Sequence, residues 1–153
     1  MTLVIIIAVI ILDQITKHLA ISLKEGSIKI VDNFLSLVYV ENRGAAFGIL
    51  QGKKIILVFF TFLIIAAMGY YLFKGKNNMA TISKVSLSLI IGGAIGNLID
   101  RVFRHYVIDF ISVTFPNGYE FPVFNVADIA VVCGTFLLII AFMKTDDFEG
   151  LQW

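Results

Sequence analysis

Apolar residues along this chain fall into long runs, without the short polar alternation of water-facing elements. Four runs, about 1–21, 55–73, 82–103 and 124–143, reach or approach the roughly 20 residues of helix that cross about 30 Å of hydrocarbon. They take up more than half of the 153 residues. The pattern predicts an all-α membrane protein with four transmembrane helices, and 1–153 as a single integral-membrane domain. What remains is two longer connections, about 22–54 and 104–123, a short link "KGKNNMA" and a tail "KTDDFEGLQW". The first run has no basic residue ahead of its apolar core and keeps the polar stretch "LDQITKH" near its far end, so a retained helix is expected there in preference to a cleaved signal.

The two longer connections change period. "SIKIVDNFLSLVYVEN" and "HYVIDFISVTFPNGYEFPVF" alternate apolar and polar residues around Asp32 and Asn33 in one case, and Pro116, Asn117 and Gly118 in the other. Both read as short hairpins. A small sheet at the membrane surface satisfies its own backbone, which an open loop in lipid does not.

Composition strengthens the membrane reading: 59% of residues are hydrophobic and 15% charged. The formal charge is +1, with no basic cluster interleaved with aromatics, so no nucleic-acid partner is expected. The single cysteine, Cys133, excludes an internal disulfide and reads as a small buried apolar side chain. Basic residues do not settle orientation. Four (Lys74, Lys76, Lys84, Lys144) lie on the side of the termini and short link, against eight (Lys17, Lys24, Lys29, Arg43, Lys53, Lys54, Arg101, Arg104) on the side of the longer connections. The raw count favours termini outside. Removing Lys17, Arg43 and Arg101, which sit among polar motifs, leaves five against four.

Polar residues within the spans gather at the ends next to the two longer connections. Asp13 and Lys17 are four apart with the acid first, the favourable order for a helical pair, and Lys17 is expected to neutralise Asp13 while its head snorkels outward. The third span reads "LIIGGAIGNLIDRVFRH", where Gly92 and Gly96 offer a small-residue surface for close helix approach. Asn97 and Arg101 follow on one face, with Asp100 beside Arg101 as a further ion-pair candidate. The fourth span opens with Asn125 and Asp128, three apart, and Asp109 begins the second hairpin.

An unpaired ionisable group at membrane depth costs several kcal/mol, roughly 3 or more, so it is functional by default. Asp109 and Asp128 have no basic residue within one helical turn and belong to the same membrane face. Two carboxyls brought close share a proton, because the second ionisation is opposed by the first charge. Such a pair suits aspartic proteolysis: the ionised member takes a proton from water, the neutral one donates to the carbonyl oxygen, and water attacks the amide carbon. His18 and His105 are too few for a His-rich zinc site and read as interfacial side chains. No serine sits in a Gly-x-Ser-x-Gly setting, and neither a metal nor another cofactor is expected. The rival reading is a small proton- or cation-coupled carrier that uses the same acids as a relay. Against it, no internal repeat is visible and the acids crowd at one face.

The motifs "LDQITK", "ENRGAAFG", "GGAIGNLIDR", "VIDF" and "FNVAD", in that order over nearly the whole chain, resemble the lipoprotein signal peptidases, also called signal peptidase II. The resemblance implies four helices with a small extracytoplasmic β-hairpin platform, in a bacterial cytoplasmic (inner) membrane with both termini cytoplasmic and the site near the extracytoplasmic face. It implies Asp109 and Asp128 as the catalytic pair, Asn42 and Arg101 as substrate-binding, and Asp13, Lys17, Gly44, Asn97, Asp100 and Asn125 as support. It also implies a diacylglyceryl-modified prolipoprotein as substrate, cut immediately before its lipidated cysteine. Membrane lipid is the implied surrounding, globomycin the inhibitor, and a monomer the working unit.

Overall fold

The computed structural model describes residues 1–44, 51–74 and 79–144. Residues 45–48 of the "ENRGAAFG" motif, most of the short link and the tail from 145 lie outside the described residues. Among the described residues there are four long helices: α1 (Thr2–Ala20), α2 (Lys54–Lys74), α3 (Thr81–Phe103) and α4 (Val126–Lys144). Each is long and apolar enough to cross a membrane. A short 3-10 turn, Ile21–Leu23, follows α1.

The helices wear their apolar residues outward, as a protein solvated by lipid does. Leu3, Ile7, Ile11 and Ile15 of α1 and Ile55, Phe59, Phe62 and Ile64 of α2 are exposed, an excess no water-soluble surface of this size carries. Burial concentrates on α3, which packs against the other three helices. Its glycines explain how. A Cβ on Gly92 would meet Val9 of α1, and one on Gly96 would meet the Asp13 carboxylate, so the expected small-residue surface is the α1 contact. Gly93 serves the other side. There a Cβ would clash with the backbone oxygen of Ala127 on α4, an atom that cannot rotate away. Gly93→Ala is therefore expected to separate α3 from α4 and to lower the thermal midpoint of the purified protein by several degrees; an unchanged midpoint would refute this packing role.

Cys133 departs from its expected burial. It is exposed on α4, beside Val132 and Phe136. Helix α4 is apolar on every face, so its sequence does not mark which face turns inward.

Between the helices lie β1 (Ile28–Val31), β2 (Leu35–Asn42), β3 (Val107–Thr114) and β4 (Glu120–Phe124). Both expected hairpins form. Asn33 takes φ 54° in the first turn and Gly118 φ 81° in the second, where Phe115 and Tyr119 close the turn through a 2.8 Å backbone bond. The two hairpins are one sheet, of order β1-β2-β3-β4 and antiparallel throughout, because β2 pairs with β3. That pairing sets Asn42 opposite Val107 and Val40 opposite Asp109. Asn42 and Asp109 are thus diagonal neighbours on one face, within side-chain reach. Ile108 and Phe110 point the other way and pack with Ala20, Tyr39 and Val126, pinning the sheet to the ends of α1 and α4.

Candidate active site

Three asparagines organise this end of the molecule, and each has its amide oxygen fixed by an N–H donor, which turns its NH2 toward an acid. Asn42 Oδ1 accepts the Gly44 N–H at 3.0 Å, so Asn42 Nδ2 donates to Asp109 Oδ2 at 2.9 Å. Asn97 Oδ1 accepts the Lys17 ammonium at 2.8 Å, so Asn97 Nδ2 donates to Asp128 Oδ1 at 2.8 Å. Asn125 Oδ1 accepts the Asp128 N–H at 2.9 Å, and Asn125 Nδ2 donates to Asp109 Oδ1 at 2.6 Å. An acid in place of any of these would lose the donor and add a charge.

Asp128 also has a local role. Its Oδ2 accepts the Asn125 N–H at 3.1 Å, so residues 125 and 128 cap the start of α4 reciprocally, in the manner of a capping box. Asn125 consequently bonds both acids at once. Asp109, on β3 and 3% exposed, has its carboxyl pushed up to about 6. Burial is the main cause and the charge of Asp128 adds to it, while hydrogen bonds from Asn42 and Asn125 and the charge of Lys17 pull the other way.

Beneath this pair lies a dry ionic layer. Asp13, Lys17 and Asp100 are each 0% exposed. Lys17 Nζ sits 2.9 Å from Asp13 Oδ2 and 3.1 Å from Asp100 Oδ2. The expected outward snorkelling of Lys17 does not occur: two carboxylates and Asn97 hold its head inside. Nor does Asp100 pair chiefly with its neighbour Arg101. Its contacts include Lys17, Arg104 and the Ile108 N–H, the last at 3.1 Å. Asp13 in turn accepts the Ala127 N–H at 2.9 Å. The ionic layer thereby fixes the start of β3, which carries Asp109, and the first turn of α4, which carries Asp128.

Arg101 lies on the other side, where its guanidinium donates to the Gly44 oxygen at 3.1 Å. All ten residues singled out from the sequence, Asp13, Lys17, Asn42, Gly44, Asn97, Asp100, Arg101, Asp109, Asn125 and Asp128, belong to this one assembly. Two further members were not singled out. Gln14 Nε2 lies within 3.3 Å of Asp13, the Gly96 oxygen and Asp100, and its oxygen accepts from Arg104. Arg104 stands four residues after Asp100, the same favourable spacing that marks Asp13 and Lys17, so its signal was present in the sequence.

A separate groove of about 550 Å³ runs along the lipid side of α2 and α3. Ile55, Val58, Phe59, Phe62, Leu98 and Val102 line it with Lys54 at its rim, and none of the ten site residues does.

Residues 5–144 match the family model described as Signal peptidase (SPase) II. The chain belongs to the signal peptidase II family. Among its relatives, a lipoprotein signal peptidase of Clostridium tetani (strain Massachusetts / E88) is 50% identical over 151 residues, covering 97% of this chain and 96% of the relative. One of Staphylococcus aureus (strain MRSA252) is 39% identical over 146 residues, covering 94% and 88%. A bacterial membrane enzyme solved by the in meso method superposes with a TM-score of 0.84 at 34% identity, covering 99% of this chain and 92% of its own. The fold is thus a known membrane-enzyme fold, and this signal peptidase II family member is a peptidase of a bacterial membrane.

Proposed function

We propose that this signal peptidase II family member is an aspartic endopeptidase that removes the signal peptide from diacylglyceryl-modified prolipoproteins, cutting immediately before the lipidated cysteine. The observation that carries the reading is the bridging of Asp109 and Asp128 by Asn125, which brings two carboxyls to one spot at the end of the helices. Asp109, whose proton is held more tightly than a free carboxyl's, is the acid. Asp128 is the base.

Asp128 takes a proton from water as the water oxygen bonds to the scissile carbonyl carbon, and Asp109 gives its proton to the carbonyl oxygen. The tetrahedral intermediate then breaks its C–N bond; the proton held on Asp128 passes to the departing amine, and the new hydroxyl returns a proton to Asp109. Asn42 and Arg101 engage the substrate backbone beside the acids. Asp13, Lys17, Gly44, Asn97, Asp100 and Asn125 hold the assembly in place. The substrate's acyl chains stay in the bilayer, so the distant lipid supplies binding energy that positions the amide.

The enzyme sits in the cytoplasmic (inner) membrane with both termini cytoplasmic and the acids near the extracytoplasmic face. It works as a monomer, and globomycin is its inhibitor. A carrier is the weaker reading, since the described acids of the spans all lie at one end and form no path through the helices.

The test uses the purified full chain in bicelles with a diacylglyceryl-modified precursor. Mass spectrometry is expected to place the cut directly before the modified cysteine and to find the unmodified precursor intact. Equal cutting of both precursors would reject the substrate assignment, and a reporter inserted at 75–78 that reads external would reject the orientation.

A further inference from the structure

Among the described residues, the charged groups of the polar assembly lie in contact or within electrostatic reach of one another. Four are carboxylates: Asp13, Asp100, Asp109 and Asp128. Lys17 lies between the first two, Arg104 pairs with Asp100, and Arg101 is within electrostatic reach of Asp100, Asp109 and Asp128. Three cations therefore face four carboxylates, and one negative charge is in excess when all the acids are ionised.

The remaining groups around the pair do not alter this count. Gln14, Asn42, Asn97 and Asn125 are neutral amides. Arg43 and Glu41 pair with each other at 3.1 Å on the exposed side, where Arg43 holds the Glu41 carboxyl below its usual range. Tyr39 and Tyr106 bond through their hydroxyls. Lys54 turns to the Val102 oxygen and to His105, beside the outer groove.

We propose that the cations Lys17, Arg101 and Arg104 fix the Asp109–Asp128 pair at one proton, because the assembly is electrically neutral only in that state. The inference rests on the reading of this pair as the proteolytic acids. In a setting poor in water a net charge is costly, so both alternatives are opposed: the doubly ionised pair leaves one negative charge, and the doubly protonated pair leaves one positive. One proton on the pair is also what acid–base catalysis needs. Arg104, which touches neither acid in the hydrogen-bond network, is then a positioning residue that acts through the field. The raised carboxyl of Asp109 agrees in sign. Its proton is retained below about 6 and lost above it, when the general acid disappears and activity falls.

The experiment is the pH dependence of kcat/KM for the full chain on a diacylglyceryl-modified precursor in bicelles. Arg104→Gln removes a cation, so the alkaline limb is expected to move to higher pH by roughly half a unit to one unit. Asp100→Asn removes an anion and is expected to move it by a similar amount to lower pH. Arg104→Lys keeps the charge and should leave the limb in place. The double change Arg104→Gln with Asp100→Asn restores the balance, and its limb is expected to return to the wild-type position, an outcome that loss of structure would not produce. A limb unmoved in both single variants, or a double variant as displaced as its worse parent, overturns the proposal. Should Arg104→Gln fail to fold, Asp100→Asn alone decides. Failure of the underlying reading is separate: it would appear as wild-type-like cleavage by Asp109→Asn.

Discussion

Asp109→Asn and Asp128→Asn are each expected to lower kcat for the lipid-modified precursor by roughly 10³-fold or more while the protein still accumulates in the membrane. Both changes keep size and one acceptor oxygen, and each leaves one of the acid's two N–H donors without its acceptor. An asparagine at 128 still offers an oxygen to the Asn125 N–H and preserves the start of α4. An asparagine at 109 still offers one to Asn125 Nδ2. What each removes is the proton traffic: without Asp128 nothing takes the proton from water, and without Asp109 nothing donates to the carbonyl oxygen. Because the acids act on one intermediate, the double variant should be little worse than either single one. Single-turnover cleavage followed by gel mobility measures this. Near-wild-type turnover by either variant would remove that residue from the chemistry and leave its hydrogen bonds as its only role.

How far the sequence could be read depended on whether a residue's environment is local. The helices were legible because crossing hydrocarbon needs a minimum apolar length, which single runs display. The acids were legible because burying charge near lipid is costly enough to demand a reason. The joined sheet was not legible, since β2 and β3 are separated by two helices and their pairing leaves no mark in either hairpin. Lys17 was misread for a related reason. A lysine near a helix end snorkels when it faces lipid, but Gly96 lets α1 approach so closely that the face bearing Asp13 and Lys17 turns inward. The basic-residue count failed in the same way. Arg104 is a partner of Asp100 and no free flank, whereas Arg43 is exposed and paired with Glu41. Exchanging the two leaves five against four, so charge bias gives this chain no orientation.

Lys17→Met is expected to cost more stability than any other single change in the ionic layer. Methionine fills much of the lysine stem's volume, so packing loss is small and the effect isolates the charge. Asp13 and Asp100, both 0% exposed, would lose their shared ammonium at 2.9 and 3.1 Å, and Asn97 would lose the donor that orients its amide. Breaking a buried ion pair from one side costs about 3–5 kcal/mol, since the abandoned charge has no water to return to. Little folded protein should survive extraction, and any that does should melt many degrees below wild type. The loss should not be additive. With Asp13→Asn added, one abandoned carboxylate disappears while its amide oxygen can still accept the Ala127 N–H, and Asp100 keeps Arg104. The double variant is therefore expected to melt above Lys17→Met alone. Thermal melts of the three proteins in one detergent decide the matter. A Lys17→Met protein as stable as wild type would show that the ammonium is not what balances these acids.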